Sequence, residues 1–437
     1  MPSPQPPSVL RSPRLWIGSG LILAVVAALF SLLYVGGNVN PKGHLRDLPV
    51  ALVNSDKGAT VQGKPLNAGE QVVSGIKKSA EGNNSFDWQV LDREETDRKL
   101  GQGKLFGAIV VPENFTASLA GLSSPQQTKP VRPTITVLTN QSAGSFGSSM
   151  AGTATQKAAH AASAQLGQQL LKQANAQGAK LTPASQLLLA DPVTVQVADG
   201  HPLGTHSAMG LSAFYYALVL VVCGMLGANA LVSQVDTALG YVHTDFGPFR
   251  QRMPLRHTSR VRTLAIDSVL MLGLSVVMGS LVELATVGIL GMDASHLGLL
   301  WVYSVATVAA VGIGALALLR AFGTPGMLFS TIIFVAMAVP SSGSTVPLQA
   351  LPGFFRVLSE FEPLRQITGG LRSILYYGAQ ADAGLTRAWA SMGIALAAAL
   401  LFGFGMTYFY DRKGLHRVPR PADESADAEP EPAPAAV

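Results

Sequence analysis

The 437-residue chain is 48% hydrophobic and only 13% charged, against about 25% charged residues in a soluble domain. Several apolar runs match the roughly 20 residues that cross a bilayer, which excludes an ordinary cytosolic enzyme and indicates an integral membrane protein. The single cysteine, Cys223, excludes a disulfide framework and any multi-cysteine metal centre. The net charge of +5 comes largely from arginines that flank apolar runs; these report membrane orientation, and no nucleic-acid partner is expected.

In chain order, residues 1–14 are Pro- and Ser-rich and carry Arg11 and Arg14, a short cytoplasmic N-terminus. Residues 15–36 form the first span (TM1), an uncleaved anchor whose apolar stretch exceeds the roughly 7–15 residues of a signal peptide. The chain then turns polar over 37–208. Apolar stretches at 48–54, 86–91, 105–111 and 133–138 read as strands. Asp56, Lys57 and Gly58 form a turn, and helices fall at 67–80, 94–100 and 114–119. This alternation is that of a small α/β sheet. Residues 142–174 read as a long Ala-, Ser- and Gln-rich helix, either packed on its own domain or forming a dimer stalk, its first half weakened by Gly144, Gly147 and Gly152. A strand at 191–197 leads back to the membrane through His201, Pro202, Leu203 and Gly204.

Five further spans follow at 209–232, 264–290, 297–319, 327–345 and 388–409 (TM2 to TM6). The expected architecture is an α-helical membrane protein with six transmembrane helices and a large α/β extracytoplasmic domain between the first and second. With the N-terminus inside, the inner segments hold twelve Lys and Arg, so both termini face the cytoplasm. Residues 233–263 become a basic cytoplasmic loop, 346–385 an outer re-entrant or interfacial loop, and 410–437 a cytoplasmic tail, disordered from about 421. The basic run Arg250, Arg252, Arg256, Arg260 and Arg262 is a candidate docking site for anionic lipid headgroups or a partner protein. Gly273, Gly279, Gly312, Gly314, Gly403 and Gly405 allow close helix packing within the bundle.

No catalytic constellation emerges. Gly101-Gln-Gly-Lys104 runs into Leu105 and is no P-loop, and neither a His-Glu-x-x-His site nor a Gly-x-Ser-x-Gly elbow occurs. His201 and His206 read as part of a polar linker. The chain is therefore expected to be no enzyme and to need no cofactor or metal. Ionisable residues within spans are candidates for function. Asp267 lies about one turn inside the third span, facing Arg262 or Arg320. Glu283 lies about 28 Å along the same helix, close to the outer surface, where Arg365 or Arg372 is the expected partner. In the outer loop, Pro340, Pro347, Pro352 and Pro363 break regular helix, and Phe354, Phe355, Leu358, Phe361 and Leu364 alternate with Arg356, Glu360 and Glu362. That composition suits a helix pair at the membrane surface, serving as an exit gate or a simple lid. Glu283, Phe354, Phe355, Glu362, Arg365 and Arg372 are the candidate gate or pathway residues.

Three stretches carry a resemblance. Leu48-Pro-Val-Ala-Leu-Val-Asn-Ser-Asp-Lys-Gly58, Gly101-Gln-Gly-Lys-Leu-Phe-Gly-Ala-Ile-Val-Val-Pro-Glu-Asn-Phe115 and Leu138-Thr-Asn140 resemble the outer domain of the phage-infection-protein (Pip) family. The segments Leu351-Pro-Gly-Phe-Phe355, Glu362-Pro-Leu-Arg365 and Gly369 to Gly378 resemble the last outer loop of ABC-2 type permeases, the superfamily to which the Pip family belongs. Yeast nitrosoguanidine-resistance proteins look like distant members. The resemblance implies a plasma-membrane permease, a homodimer with its pathway between protomers, that exports a hydrophobic or amphipathic compound, any energy being supplied by a partner such as a separate ATPase subunit. One departure stands out: Gln234 to His243 lacks the Glu-rich, Gly-Thr-containing inner helix of permeases that dock an ATPase. The alternative is a non-transport accessory or receptor for secretion, envelope assembly or phage adsorption, acting through the outer domain.

Overall fold

The computed structural model describes residues 13–61, 64–122, 132–176, 183–242, 244–246, 249–251, 253–415 and 417. Arg11, Arg252 and the tail from about 421, expected to be disordered, lie outside the described residues.

The chain opens with helix α1 (Pro13–Gly36) and the single turn α2 (Pro41–His44). Then come β1 (Leu48–Asn54), the hairpin strands β2 (Ala59–Val61) and β3 (Lys64–Leu66), α3 (Ala68–Ala80), β4 (Phe86–Val90), α4 (Arg93–Leu100), β5 (Gly107–Val111), α5 (Phe115–Leu122), β6 (Thr134–Thr139), α6 (Ser145–Ala176), α7 (Pro183–Ala190) and β7 (Thr194–Asp199). The remainder is α8 (Ser212–Ala238), a hairpin of β8 (Thr244–Phe246) and β9 (Phe249–Gln251), α9 (Arg260–Glu283), α10 (Leu297–Phe322), α11 (Thr324–Thr331), α12 (Ala338–Ser341), α13 (Gly353–Phe361), α14 (Pro363–Tyr376) and α15 (Leu385–Arg412). Wide π-turns extend α9 over Leu284–Ile289 and α11 over Ile332–Ala336. Among the described residues, six helical stretches are long and apolar enough to cross a membrane: Trp16–Gly36, Ser212–Ala238, Arg260–Ile289, Leu297–Phe322, Thr324–Ser341 and Leu385–Arg412. The fifth ends at Ser341, short of the expected 345, where Ser342, Gly343 and Ser344 leave the helix.

The chain divides into two compact units. The first comprises residues 1–215, 292–296 and 336–387. Its sheet runs β4-β1-β5-β6-β7; β1 is parallel to both β4 and β5, β5 and β6 are antiparallel, and β6 and β7 are parallel. All five residues of β5 are buried, because a central strand covered on both faces must be apolar throughout. Alternate residues separate the two faces. Leu52, Ile109 and Val137 pack against Val72 and Ile76 of α3 and Phe115 of α5, while Ala51, Val53 and Val110 pack with Leu100 of α4.

Polar hubs explain the family-like sequence stretches. Asp56 is buried at the end of β1. Its carboxylate accepts the backbone N–H of Gly58 at 3.2 Å, of Gly69 at 3.0 Å and of Thr116 at 3.1 Å, together with the Thr116 hydroxyl. It thereby joins the starts of α3 and α5 to the sheet. Fully buried Asn140 donates to the carbonyls of Leu100 (2.9 Å) and Leu105 (2.8 Å) and accepts from Ser142 (2.5 Å). Gly103 adopts φ +66, and a Cβ there would stand 2.3 Å from the Tyr377 hydroxyl, so glycine is required on both counts. Helices α3 and α4 begin where the sequence provides a cap: Asn67 accepts from the N–H of Glu70 at 2.8 Å, and Asp92 from that of Glu95 at 2.6 Å.

The late segment of this unit is tied to the sheet domain. Phe355, Leu351 and Val346 share a core with Leu48, Val50, Phe106 and Leu33. Gln102 donates to Asp382 at 2.8 Å, and His201 Nε2 to the Tyr376 carbonyl at 2.8 Å. The His201–His206 stretch is thus built in rather than a free linker, and Asp293 accepts the His206 N–H at 2.7 Å.

The second unit comprises residues 216–291, 297–335 and 388–437. Helix α10 lies at its centre: 67% of its apolar window is buried, against 28% for the third span and 11% for α15. Three neighbours approach it through glycine. A Cβ on Gly224 of α8 would come within 3.0 Å of the Val308 carbonyl, one on Gly279 of α9 within 3.0 Å of the Val305 nitrogen, and one on Gly403 of α15 within 2.8 Å of the Ala317 methyl. Small residues let backbones approach in this way. Gly273 and Gly405, expected to share that role, face open space.

Candidate functional site

Two places concentrate polar chemistry against the apolar background, one in each unit. In the first unit, α13 and α14 form a helical hairpin with Glu362 between them. On α13, Phe354, Val357 and Phe361 are exposed at spacings that place them on one helix face, while Phe355 and Ser359 are buried. An outward apolar stripe on a helix outside the long apolar spans fits a helix lying in a membrane surface. Pro363 starts α14, and Glu362 caps it by accepting the Arg365 N–H at 2.9 Å. The second carboxylate oxygen of Glu362, Oε1, is buried without a hydrogen-bond partner. Burial pushes this carboxyl up to about 7. The Arg365 guanidinium turns instead to Glu360 at 2.7 Å and to the Ser359 hydroxyl at 3.0 Å. Glu360 also accepts from Arg387 at 2.7 Å, and these two hydrogen-bonded arginines hold its carboxyl below the usual range.

In the second unit, four charged groups join α8, α9, α10 and the chain after α15. Arg320, near the end of α10, grips Asp267 of α9 with Nε at 2.5 Å and Nη2 at 3.0 Å, and reaches Asp236 of α8 with Nη1 at 2.6 Å. Arg417 grips the same Asp236 with Nη1 at 2.5 Å and Nη2 at 2.9 Å. Asp267 is fully buried, and Asp236 and Arg320 nearly so. Two carboxylates and two guanidiniums balance in charge, which is how ions persist away from water. Asp411, at the end of α15, accepts the backbone N–H groups of Arg260 and Val261 at 3.0 Å each, an acidic cap on the start of α9. Asp236, Arg320 and Arg417 line a cavity of about 700 Å³ to which Arg260 and Tyr410 also contribute.

Among the predicted site residues, Asp267 pairs with Arg320, while Arg262 is exposed at the helix start. Arg365 is taken by Glu360, Arg372 donates to the Ala143 carbonyl at 3.3 Å, and Glu283 Oε2 is buried without a hydrogen-bond partner. Phe354 and Phe355 part ways: the first is exposed, the second is core. Of the basic run, Arg250 lies on strand β9, Arg256 is exposed, and Arg260 donates to the Leu415 carbonyl at 2.8 Å and lies over the Tyr410 ring. Asp236 and Arg417 were not anticipated. Asp236 lies past the expected end of the second span at 232, but α8 continues to Ala238. Among the described residues no group of three or more His, Cys, Asp and Glu could hold a metal ion.

Six apolar spanning helices and an α/β sheet domain falling in sequence between the first two define a multi-pass membrane protein. A family model described as "Protein of unknown function (DUF3533)" matches residues 19–395, and the chain belongs to that family. It is also similar to "Uncharacterized protein YhgE" of Bacillus subtilis (strain 168), with 34% identity over 102 residues, 22% of this chain. The match spans only 13% of that curated relative's length. The comparison with solved structures gives no match.

Proposed function

We propose that this protein is a plasma-membrane permease that exports hydrophobic or amphipathic compounds and catalyses no reaction of its own. In this reading the sheet domain faces outside and both termini face the cytoplasm. The working form is a homodimer in contact with membrane lipids, and any energy comes from a partner, such as a separate ATPase subunit. The observation that carries the reading is the α13–α14 hairpin. It presents an apolar stripe through Phe354, Val357 and Phe361, while Glu362 and Arg365 lie on its inner side. Such a surface meets both parts of an amphipathic molecule. The likeness of the late segment to the last outer loop of ABC-2 permeases supports it further.

The test is efflux of a fluorescent amphipathic dye from cells that produce the chain, compared with cells that lack it. Affinity purification from native membranes accompanies it. Faster efflux and a stoichiometric P-loop ATPase are the expected results. Equal efflux rates with a range of dyes would refute the permease reading. Residues 234–243, which lack the ATPase-docking pattern, favour the second reading: an accessory or receptor that acts through its outer domain.

A further inference from the structure

We infer that the first unit binds a phosphate group in a cationic cavity beside the α13–α14 hairpin. The group is either free phosphate or the headgroup of an anionic lipid. The cavity measures about 340 Å³, and Lys104, Arg365, Thr368, Arg372 and Arg387 are among the residues that line it. Four cations meet two carboxylates there. Glu360 serves both Arg365 and Arg387, and Asp382 lies 3.7 Å from Lys104. Among the described residues Arg372 has no carboxylate at all. Its Nη1 donates to one carbonyl, that of Ala143, at 3.3 Å, while Nε and Nη2 are buried without an acceptor. The Thr368 hydroxyl, 1% exposed, is likewise without a partner. Buried donors are nearly always satisfied, and a charged one left open is costly.

The unused edge of Arg372 has a definite shape. Nε and Nη2 are the two parallel donors that take two oxygens of one anion. The same edge of Arg320 holds both oxygens of Asp267 in this chain. One arginine without a counter-ion, its parallel pair of open donors and a free hydroxyl call for an anion with several oxygens and more than one acceptor face. A phosphate group meets that description better than a lone carboxylate. The inference stands whether or not the protein transports anything.

The full-length protein in detergent would be tested by equilibrium dialysis against radiolabelled orthophosphate. In nanodiscs it would be tested for enrichment of phosphatidylglycerol over phosphatidylcholine. Arg372→Gln should weaken binding at least about tenfold. Thr368→Val, and Lys104→Gln at a half-exposed position that leaves the core untouched, should each weaken it several-fold. Arg93→Gln, an equal loss of charge on exposed α4, should change nothing. Orthophosphate binding without lipid enrichment identifies a soluble phosphate, and lipid enrichment alone identifies a headgroup. Either result supports the site only if Arg372→Gln and Lys104→Gln abolish or weaken it. The inference is overturned if neither probe binds saturably, or if folded Lys104→Gln and Arg372→Gln bind like Arg93→Gln.

Discussion

Replacing Arg320 separates a structural account of the charge cluster from a decorative one. The Arg320→Gln change leaves Asp236 with its two hydrogen bonds from Arg417. It leaves Asp267, which has no exposed surface, without the cation hydrogen-bonded to it. Breaking a buried pair from one side costs about 3–5 kcal/mol, and nearly all of it should fall on Asp267. The double variant Asp267→Asn, Arg320→Gln removes both charges and should recover most of that loss. Arg417→Ala should cost no more than about 1 kcal/mol, since the Arg417 side chain is 30% exposed and Asp236 retains Arg320. Reversible unfolding of the full chain in mixed micelles reads all three. The reasoning fails if Arg417→Ala matches Arg320→Gln, or if adding Asp267→Asn worsens the single variant.

Glu362 predicts a pH signature. Its folded carboxyl is raised from 4.5 to about 7, so its contribution to stability is fully present below the unfolded value and is lost as pH rises through the folded one. The loss amounts to about 3 kcal/mol between pH 4 and pH 8. Glu362→Gln should flatten that part of the stability profile, and parallel profiles for the two proteins would count against it. Gly279→Leu should force α9 away from α10 at Val305 and lower the unfolding temperature. Gly273→Leu, at a position with nothing within 4 Å, should leave it nearly unchanged in the same thermal assay. Asp56→Ala strands the N–H groups of Gly69 and Thr116 at about 1–3 kcal/mol each; hydrogen exchange should then accelerate at the starts of α3 and α5 together.

Much of the fold is legible in the sequence because its signals are strong. β1 and β5 are nearly unbroken apolar runs, and among the described residues five of the six spans exceed the roughly 20 residues that a bilayer needs, the fifth having 18. The β2–β3 hairpin escaped notice because strands of three residues carry no useful alternation, and α7 because Pro183–Ala190 is short and follows a long helix. The site divides along similar lines. An acid one turn into one helix and an arginine close to the end of the next make Asp267 and Arg320 a readable pair. Counting residues gives Glu283 a depth along its helix but no direction around it, so the count alone fixes no partner for it. Arg365 has Glu360 five residues away across the Pro363 break, a local claim that outcompetes any distant carboxylate. The open donors of Arg372 could not be read at all, since an unmet hydrogen bond exists only once every neighbour is in place.

The charge cluster also orders the events of synthesis. Asp236 and Asp267 leave the ribosome before Arg320, which follows Asp267 by 53 residues, and Arg417 follows Asp236 by 181. The nascent protein must therefore hold two acids near lipid with their guanidiniums still unmade. Its second and third hydrophobic helices cannot settle until the fourth arrives. A chain stalled between Asp267 and Arg320 presents an acid within a hydrophobic segment before its guanidinium partner exists.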